Sequence, residues 1–117
     1  MRYIILSKGG DLVDVQMKRG IIESCILALL CRGDSYGYQL IKDIAPIMEI
    51  SESTLYPVLR RLEAAGSLRV YSVEHNSRLR KYYAITEEGR KKIADFLSEW
   101  ADIAKVYQFI AGVSHSE

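Results

Sequence analysis

Cysteine, proline, histidine and tryptophan are scarce in this sequence, which has two, two, two and one of them among 117 residues. The two cysteines, Cys25 and Cys31, lie six positions apart in an apolar segment, so on a helix they would point to different faces. That spacing predicts neither an intrachain disulfide nor a shared metal site. We interpret both as buried thiols of a protein that works in a reducing cytoplasm.

Long apolar runs are also missing from the sequence. No span reaches the roughly 20 apolar residues that a transmembrane helix requires, and residues 1–14 do not have the order of a secretory signal. We therefore expect a cytoplasmic protein without a membrane partner. The length suits one domain, with a long last helix that a single chain would bury poorly.

Catalytic and metal-binding patterns are absent too. No nucleophile with a base and an orienting group can be identified, and no phosphate-binding loop occurs. We therefore expect no enzyme activity and no cofactor. A metal sensor would need Cys25, Cys31, His75 or His115 as ligands, and their spacing gives no compact cluster.

The net charge of +1 hides an uneven distribution of charged residues. Residues 51–82 include six basic and three acidic side chains, a local charge of +3. Acidic residues are concentrated later, between residues 87 and 102. A modest basic surface of this kind favours binding to DNA, with an affinity that falls as salt rises.

Residues 51–66, SESTLYPVLRRLEAAG, have the pattern of a capped amphipathic helix. Ser51 is placed to cap its N-terminus and Gly66 to end it, with Glu52 where the helix dipole favours an acid. One apolar stripe must face a core, and it consists of Leu55, Val58, Leu59 and Leu62.

The opposite face of this helix carries side chains suited to reading DNA. Ser53, Tyr56 and Arg60 share it, with Thr54 and Arg61 at its margins. Small hydroxyls, a tyrosine and arginines on a short exposed helix can enter the major groove and contact base edges and phosphates. An ordinary solvated face is the alternative for this helix taken alone.

A period of two residues follows the helix and predicts strands at residues 68–73 and 82–86. Asn76 and Ser77 suit a turn between them, so the two runs are expected to form a hairpin. Its tip and shoulder carry three cations, for contact with the DNA backbone or for solubility alone: Arg78, Arg80 and Lys81.

Two helices are expected before these elements. The first, at residues 20–30, is apolar almost all round, which indicates burial on two sides. The second is expected to be capped by Asp34 or Ser35 and closed by Pro46. Tyr36, at its start, could contact a phosphate or pack against the hairpin. Helices followed by a hairpin give the order of a winged helix-turn-helix, a mainly helical α+β fold with a small hairpin.

Three blocks of the sequence resemble the signature blocks of the PadR family of transcriptional regulators, in the same order and at matching separations. They lie at residues 34–40 (DSYGYQL), at 54–66 (Thr-Leu-Tyr-Pro, then Arg-Leu-Glu and glycine) and at 80–89 (Arg-Lys-Tyr-Tyr, then Ile-Thr and glycine). The hairpin tip departs from the glycine and proline that the family often carries there.

The resemblance covers about residues 15–110 and implies the division of the chain. We expect a winged helix-turn-helix domain at 15–86, a dimerisation helix at 87–111 and a tail at 112–117. Residues 1–14 would be an N-terminal extension, in which Tyr3 to Leu6 could form a short strand.

The last helix is expected to begin after Thr86, which caps it, and to run without a proline to Ala111. Apolar residues recur along it at alternating spacings of four and three, which is typical of packing against a second chain. We expect a homodimer held by the first and last helices. The expected interface residues are Ile22, Ile26, Ile93, Leu97, Ala104 and Tyr107.

Trp100 is the only tryptophan. In the PadR members that this chain resembles most, including a multidrug-responsive regulator, the matching Phe-x-x-x-Trp context lines a pore at the dimer centre. The resemblance thus implies an effector site formed by Phe96 and Trp100 and bordered by Met17 and Ile21. Paired rings there would hold a flat aromatic or cationic molecule. A role only in the dimer seam is the alternative for Trp100.

Together these features predict a homodimeric repressor that binds a palindromic operator and responds to a small aromatic or cationic effector. The residues expected to face the major groove are Ser53, Thr54, Tyr56 and Arg60. Those expected to face the DNA backbone are Tyr36, Arg61, Arg78, Arg80 and Lys81. A metal sensor of another winged-helix family and an interaction module without DNA binding are the alternatives.

Overall fold

The computed structural model describes residues 12–115, with side chains from residue 16 to residue 114. In chain order the elements are α1 (Leu12–Cys31), α2 (Gly37–Ile44), α3 (Glu52–Ala64), β1 (Leu68–His75), β2 (Arg78–Ile85) and α4 (Glu87–His115). The predicted α+β fold, a mainly helical chain with a hairpin and a long last helix, is confirmed. The strand predicted at Tyr3 to Leu6 lies outside the described residues.

α1 is longer than the predicted helix at residues 20–30. It begins at Leu12, inside the segment that the sequence assigned to an extension. Gly20 therefore lies within the helix and does not start it. A glycine in a helix interior costs only about 1 kcal/mol relative to alanine, which the packing of this helix offsets.

The hydrophobic core forms where α1, α2, α3 and the base of the hairpin meet. The predicted stripe of α3 is confirmed, since each of its four residues is at most 2% exposed. α1 contributes Ile26 and Leu27 and α2 contributes Leu40 and Ile44, all completely buried. Burial of these faces holds α3 on the body of the protein with its other face exposed.

The predicted N-cap position of α3 is confirmed, whereas the predicted caps of α2, Asp34 or Ser35, were wrong; neither helix has a capping hydrogen bond from its N-cap side chain. Ser51 occupies the N-cap position of α3, but its Oγ lies 2.8 Å from Ser53 Oγ and caps no backbone N–H. α2 starts after Tyr36, which makes no capping hydrogen bond with its side chain. Ser35 pairs with Tyr83 through the backbone instead, so the chain is still extended where the cap was expected.

Two other helix ends, at Gly66 and Thr86, are as the sequence predicts. Gly66, with φ +78°, ends α3, and the Ser67 N–H donates to the Leu62 carbonyl at 2.8 Å. Thr86 caps α4, because its Oγ1 accepts a hydrogen bond from the Gly89 N–H at 3.1 Å. Both ends meet at one point, since the Thr86 hydroxyl also donates to the Gly66 carbonyl at 2.6 Å.

β1 and β2 form an antiparallel hairpin that is longer than predicted. Its turn is at Asn76 and Ser77, as expected, with φ of 51° and 65°. Both values lie in the left-handed region that a type I′ turn requires. Because such a turn leaves no loop between the strands, pairing continues to His75 opposite Arg78.

α4 runs for 29 residues, and every residue from 101 to 110 is exposed. Near its start Ile93 packs against the core. Beyond that point the helix exposes large apolar side chains, at Leu97, Ile103, Val106, Tyr107, Phe109, Ile110 and Val113. None of the helices in the described part of the chain is long and apolar enough to cross a membrane.

Candidate nucleic-acid interface

The exposed face of α3 gathers hydroxyl groups at its N-terminal end. Ser53 and Thr54 are exposed, and Ser51 Oγ lies 2.8 Å from Ser53 Oγ and 3.4 Å from Thr54 Oγ1. Arg60 is exposed two turns further along. Because hydroxyls both donate and accept hydrogen bonds, this surface can bind base edges as well as phosphates.

Tyr56 is positioned differently from Ser53 and Arg60, because its side chain is half-buried against α2. Its hydroxyl lies over Gly37, where an added Cβ would overlap the hydroxyl and lie 2.8 Å from the ring carbon Cζ. Gly37 is therefore required for the close approach of α2 to α3. Tyr56 has a packing role that the sequence did not reveal.

Arg61 reaches back from α3 to a buried carboxylate on α1. Its Nε lies 3.5 Å from Glu23 Oε2, and Lys92 Nζ of α4 lies 3.1 Å from Glu23 Oε1. The Glu23 side chain is only 10% exposed, whereas both cations are 40% exposed. One carboxylate of α1 thus joins α3 to α4. Glu23 was not among the predicted site residues, although a glutamate inside an almost wholly apolar helix is a visible signal in the sequence.

Tyr36 and Arg80 pack together beside the hairpin, where Arg80 is in the third residue pair from the turn. The Arg80 guanidinium lies 4.0 Å from the centroid of the Tyr36 ring, close enough for a cation–π interaction. The Tyr36 ring meets the Tyr82 ring edge-on, with centroids 5.5 Å apart. Tyr36 therefore packs against the hairpin, and in doing so it fixes the position of a cation predicted to contact DNA.

Tyr71 extends this aromatic cluster to the start of α2. Its ring stacks on Tyr82 with centroids 5.7 Å apart, and its hydroxyl donates to Asp34 Oδ2 at 2.6 Å. The hydrogen bond to the Asp34 carboxylate is the main reason why the pKa of Tyr71 is raised above its ordinary value. The contact between Tyr71 and Asp34 was not predicted from the sequence. The turn at residues 76–77 sets the register that places Tyr71 opposite Tyr82, so that part could have been found.

The tip of the hairpin presents charged and apolar groups to solvent. Arg78 and Lys81 are exposed, as is Leu79 at 77%. The predicted basic tip is thus accessible to a polyanion. Its cations lie on the same hairpin as Arg80.

Phe96 and Trp100 lie side by side on α4. Their ring centroids are 5.9 Å apart, with an interplanar angle of 44°, and both side chains are half-buried. On α1, Met17 is 46% exposed and Ile21 is partly buried against the core. An aromatic pair of this kind can pack on another flat ring.

The residues predicted at a dimer interface fall into two groups. Leu97, Ala104 and Tyr107 are exposed on α4. Ile22 and Ile26 lie in the core of the chain itself, at 7% and 0% exposed, so they have almost no surface left for a second chain. Ile93 also packs on that core.

The cysteines differ from each other. Cys25 is half-buried, and burial raises the pKa of its thiol. Cys31 is exposed, so its predicted burial was wrong, because it follows the last buried turn of α1. Within the described residues, no group of three or more histidine, cysteine, aspartate or glutamate side chains is close enough to hold a metal ion.

Known proteins share both the sequence pattern and the fold. Residues 26–95 match the model of the transcriptional regulator PadR-like family. A transcriptional regulator from Clostridium thermocellum is 38% identical, with a TM-score of 0.72 over 80% of this chain and 95% of that one. A PadR-like transcription factor from Bacteroides fragilis is 31% identical, with a TM-score of 0.76 over 86% of this chain and 99% of that one.

A more distant structure, PadR of Bacillus subtilis in complex with operator DNA, shares the fold. It is 23% identical, with a TM-score of 0.62 over 66% of this chain and 46% of that one. The family match spans more than half of the chain and includes α2, α3 and the whole hairpin. Members of this family are transcriptional regulators and not enzymes, in agreement with the sequence. The chain belongs to the PadR-like family of transcriptional regulators.

Proposed function

We propose that this protein is a sequence-specific DNA-binding repressor that acts as a homodimer in the cytoplasm. The observation that carries the proposal is that α3 exposes hydroxyls and Arg60 on one face, while the hairpin that follows it exposes cations at its tip. The chain thus exposes both groups that can read base edges and groups that can neutralise phosphates. The operator complex of Bacillus subtilis PadR, which shares this fold, supports DNA as the partner.

The residues divide by the part of DNA that they face. Ser53, Thr54 and Arg60 contact base edges in the major groove. Tyr56, which packs against α2, faces the same groove with the exposed part of its side chain. Arg78, Arg80, Lys81 and Arg61 neutralise phosphates, with Arg80 held in place by Tyr36. In this division residues 15–86 form the DNA-binding domain and residues 87–111 the dimerisation helix.

Dimerisation is supported by the apolar surface of α4. Leu97 and Tyr107 are 62% and 66% exposed, and five further large apolar residues of α4 are at least half exposed. A run of this kind on one helix is best covered by another helix. Two copies related by a two-fold axis would place their recognition helices about 34 Å apart, on successive major grooves of a palindromic operator.

An effector site at the dimer centre is the regulatory part of the proposal. Phe96 and Trp100 form an aromatic pair on α4, and the acidic residues Glu99 and Asp102 nearby suit a cationic ligand. A ligand would change operator affinity by preferring one dimer geometry over another. Ethidium, tested without DNA, should quench the fluorescence of Trp100, the single tryptophan. An unchanged emission spectrum would remove the effector site from the proposal.

The division of roles is tested by two single substitutions. A duplex enriched by the protein from a random-sequence library and a scrambled duplex are compared by fluorescence anisotropy. Arg80→Ala should weaken binding to both duplexes by about the same factor, because phosphates carry no sequence information. Ser53→Ala should instead change the ratio of the two affinities.

The two variants have the same readout, so each is the control for the other. Equal, uniform effects of both substitutions would show that α3 does not read bases. A wild-type protein with no preference for any duplex would contradict sequence-specific binding itself.

A further inference from the structure

A basic groove separates the N-terminal half of α1 from the start of α3. It has a volume of about 290 Å³, and its lining includes Lys18 and Arg19 of α1 and Arg61 of α3, together with the hydroxyl residues Ser53 and Thr54. No acidic residue lines it among the side chains that the structure describes. We propose that this basic groove binds a phosphate of the DNA backbone beside the recognition helix, an inference that rests on the proposed function.

The electrostatics of the groove favour an anion. Three cations converge on one concave surface, where their mutual repulsion is relieved by a negative charge. Only Arg61 has an acidic partner among the described side chains, and its Nε lies 3.5 Å from Glu23 Oε2. Glu23 also holds Lys92 at 3.1 Å, so its single charge is shared between two cations. Among the described side chains, the groove therefore keeps a net positive charge after the Arg61–Glu23 ion pair is counted.

The position of the groove selects DNA as the source of that anion. Ser53 and Thr54 belong both to its lining and to the exposed face of α3 that is proposed to read bases. In helix-turn-helix proteins the helix that reads DNA, which is α3 in our proposal, contacts the bases with its N-terminal residues. The sugar-phosphate backbone of the DNA passes beside these residues. A phosphate in the groove thus continues the contact surface from α3 to α1.

This contact extends the DNA surface beyond the residues that the sequence identified. Lys18 and Arg19 precede the recognition helix by more than 30 residues and meet Arg61 only in the folded chain. They also supplement the basic side chains of a protein whose net charge is only +1. The basic groove therefore gives α1 a direct part in binding, and it fixes the register of the protein on the duplex.

The test is the double substitution Lys18→Ala, Arg19→Ala in the full-length protein. Its affinity for the enriched and the scrambled duplex is measured by anisotropy across a salt series. Loss of one phosphate contact in each protomer should weaken binding to both duplexes by roughly 10- to 50-fold at 0.1 M salt and reduce the salt slope by about 2. The ratio between the two duplexes should stay the same.

Two further variants separate this effect from net charge and from folding. Lys91→Ala, Lys105→Ala removes the same charge from exposed positions on α4, and it should bind almost as the wild type does. Lys18→Arg, Arg19→Lys keeps both charges in the groove and should retain binding. Thermal unfolding of each variant checks that the fold is intact.

Three results would overturn the inference. The first is wild-type affinity and salt slope in the alanine double variant. The second is an equal loss in the α4 control. The third is stabilisation of the wild type by inorganic phosphate that the alanine double variant loses without a change in DNA affinity, which would identify a site for a free anion. Failure of the proposed function itself would give a different result, because the wild type would then show no preference for the enriched duplex.

Discussion

At the scale of residues, the position of Arg80 depends on a chain of side-chain contacts. Its guanidinium rests on Tyr36, Tyr36 meets Tyr82, Tyr82 stacks on Tyr71, and Tyr71 donates to Asp34. The chain joins the hairpin to the segment that enters α2. These contacts therefore set the position of Arg80, the cation proposed to bind a phosphate, relative to the start of α2.

The raised pKa of Tyr71 predicts a dependence of stability on alkaline pH. Because the folded chain holds the hydroxyl proton more tightly, its contribution is fully present below the ordinary pKa of 10.0 and is lost as pH rises through the raised value. Tyr71→Phe should therefore lose less unfolding free energy above pH 10 than the wild type does. Urea unfolding at a series of alkaline pH values measures this.

Asp34→Asn is the matched variant, because it removes the carboxylate that causes the shift and leaves the tyrosine in place. Asp34→Asn should likewise reduce the loss of unfolding free energy above pH 10. Burial also raises the pKa of Tyr83, but that contribution is common to all three proteins. An alkaline dependence in Tyr71→Phe as steep as in the wild type would contradict the assignment.

Sequence reasoning at this scale succeeded where the determinant is local. The Asn76-Ser77 turn, the Gly66 end of α3 and the Thr86 cap each depend on a few adjacent residues, and each is present. The contacts of Asp34 and Glu23 escaped prediction because their partners are 37 and 38 residues or more away. Such pairs form only when the elements pack.

At the scale of elements, α1 is the scaffold to which α3 and α4 are both attached. Glu23 on α1 binds Arg61 of α3 and Lys92 of α4 at 3.5 and 3.1 Å. A movement of α4 would therefore change the position of α3 through the two ion pairs of Glu23. These ion pairs link the surface proposed for dimerisation to the surface proposed for DNA binding.

Glu23→Gln should lower the free energy of unfolding by about 1–2 kcal/mol, since it leaves Arg61 and Lys92 without their carboxylate while solvent still reaches both. Denaturant unfolding of the purified protein measures the change. Glu99→Gln, at an exposed position of α4, is the control and should leave stability nearly unchanged. Equal stability of Glu23→Gln and the wild type would show that the bridge contributes nothing to the packing of the three helices.

The elements themselves were predicted better than their boundaries. The buried stripe of α3 follows from spacing alone, because one face of a helix must be apolar to pack. α1 begins earlier than predicted because no proline interrupts residues 12–19 and an internal glycine is tolerated. The strands extend beyond the residues that alternate between apolar and polar side chains. A two-residue turn keeps the backbone paired up to the tip of the hairpin, where the residues are mostly polar.

At the scale of the whole molecule, α4 gives the protein an apolar surface that its own core does not cover. The exposed residues extend from Leu97 to Val113 along the helix. The fold and the family could be predicted from three sequence blocks. The residues of the proposed dimer interface could not be predicted one by one, because the spacing of Ile22 and Ile26 suits a core as well as a second chain, and the structure places both in the core.

Leu97→Glu should convert the proposed dimer into a monomer, because it places a charge within the apolar surface of α4. Sedimentation velocity measures the mass in solution. The monomer should lose most of its preference for a palindromic duplex but keep weak, salt-sensitive binding to any duplex. Ile47→Glu makes the same kind of change at an exposed apolar residue outside α4, and it should remain dimeric. A monomeric wild type, or a dimeric Leu97→Glu, would contradict the role of this surface.

The central claim is that a dimer of this chain reads DNA sequence with two copies of α3. Selection from a random duplex library, followed by anisotropy on the enriched and scrambled duplexes across a salt series, tests it most directly. We predict an enriched palindrome with half-sites separated by about one helical turn of DNA, bound far more tightly than the scrambled duplex and with a steep salt dependence. Feeble binding that is equal for all duplexes would contradict the claim.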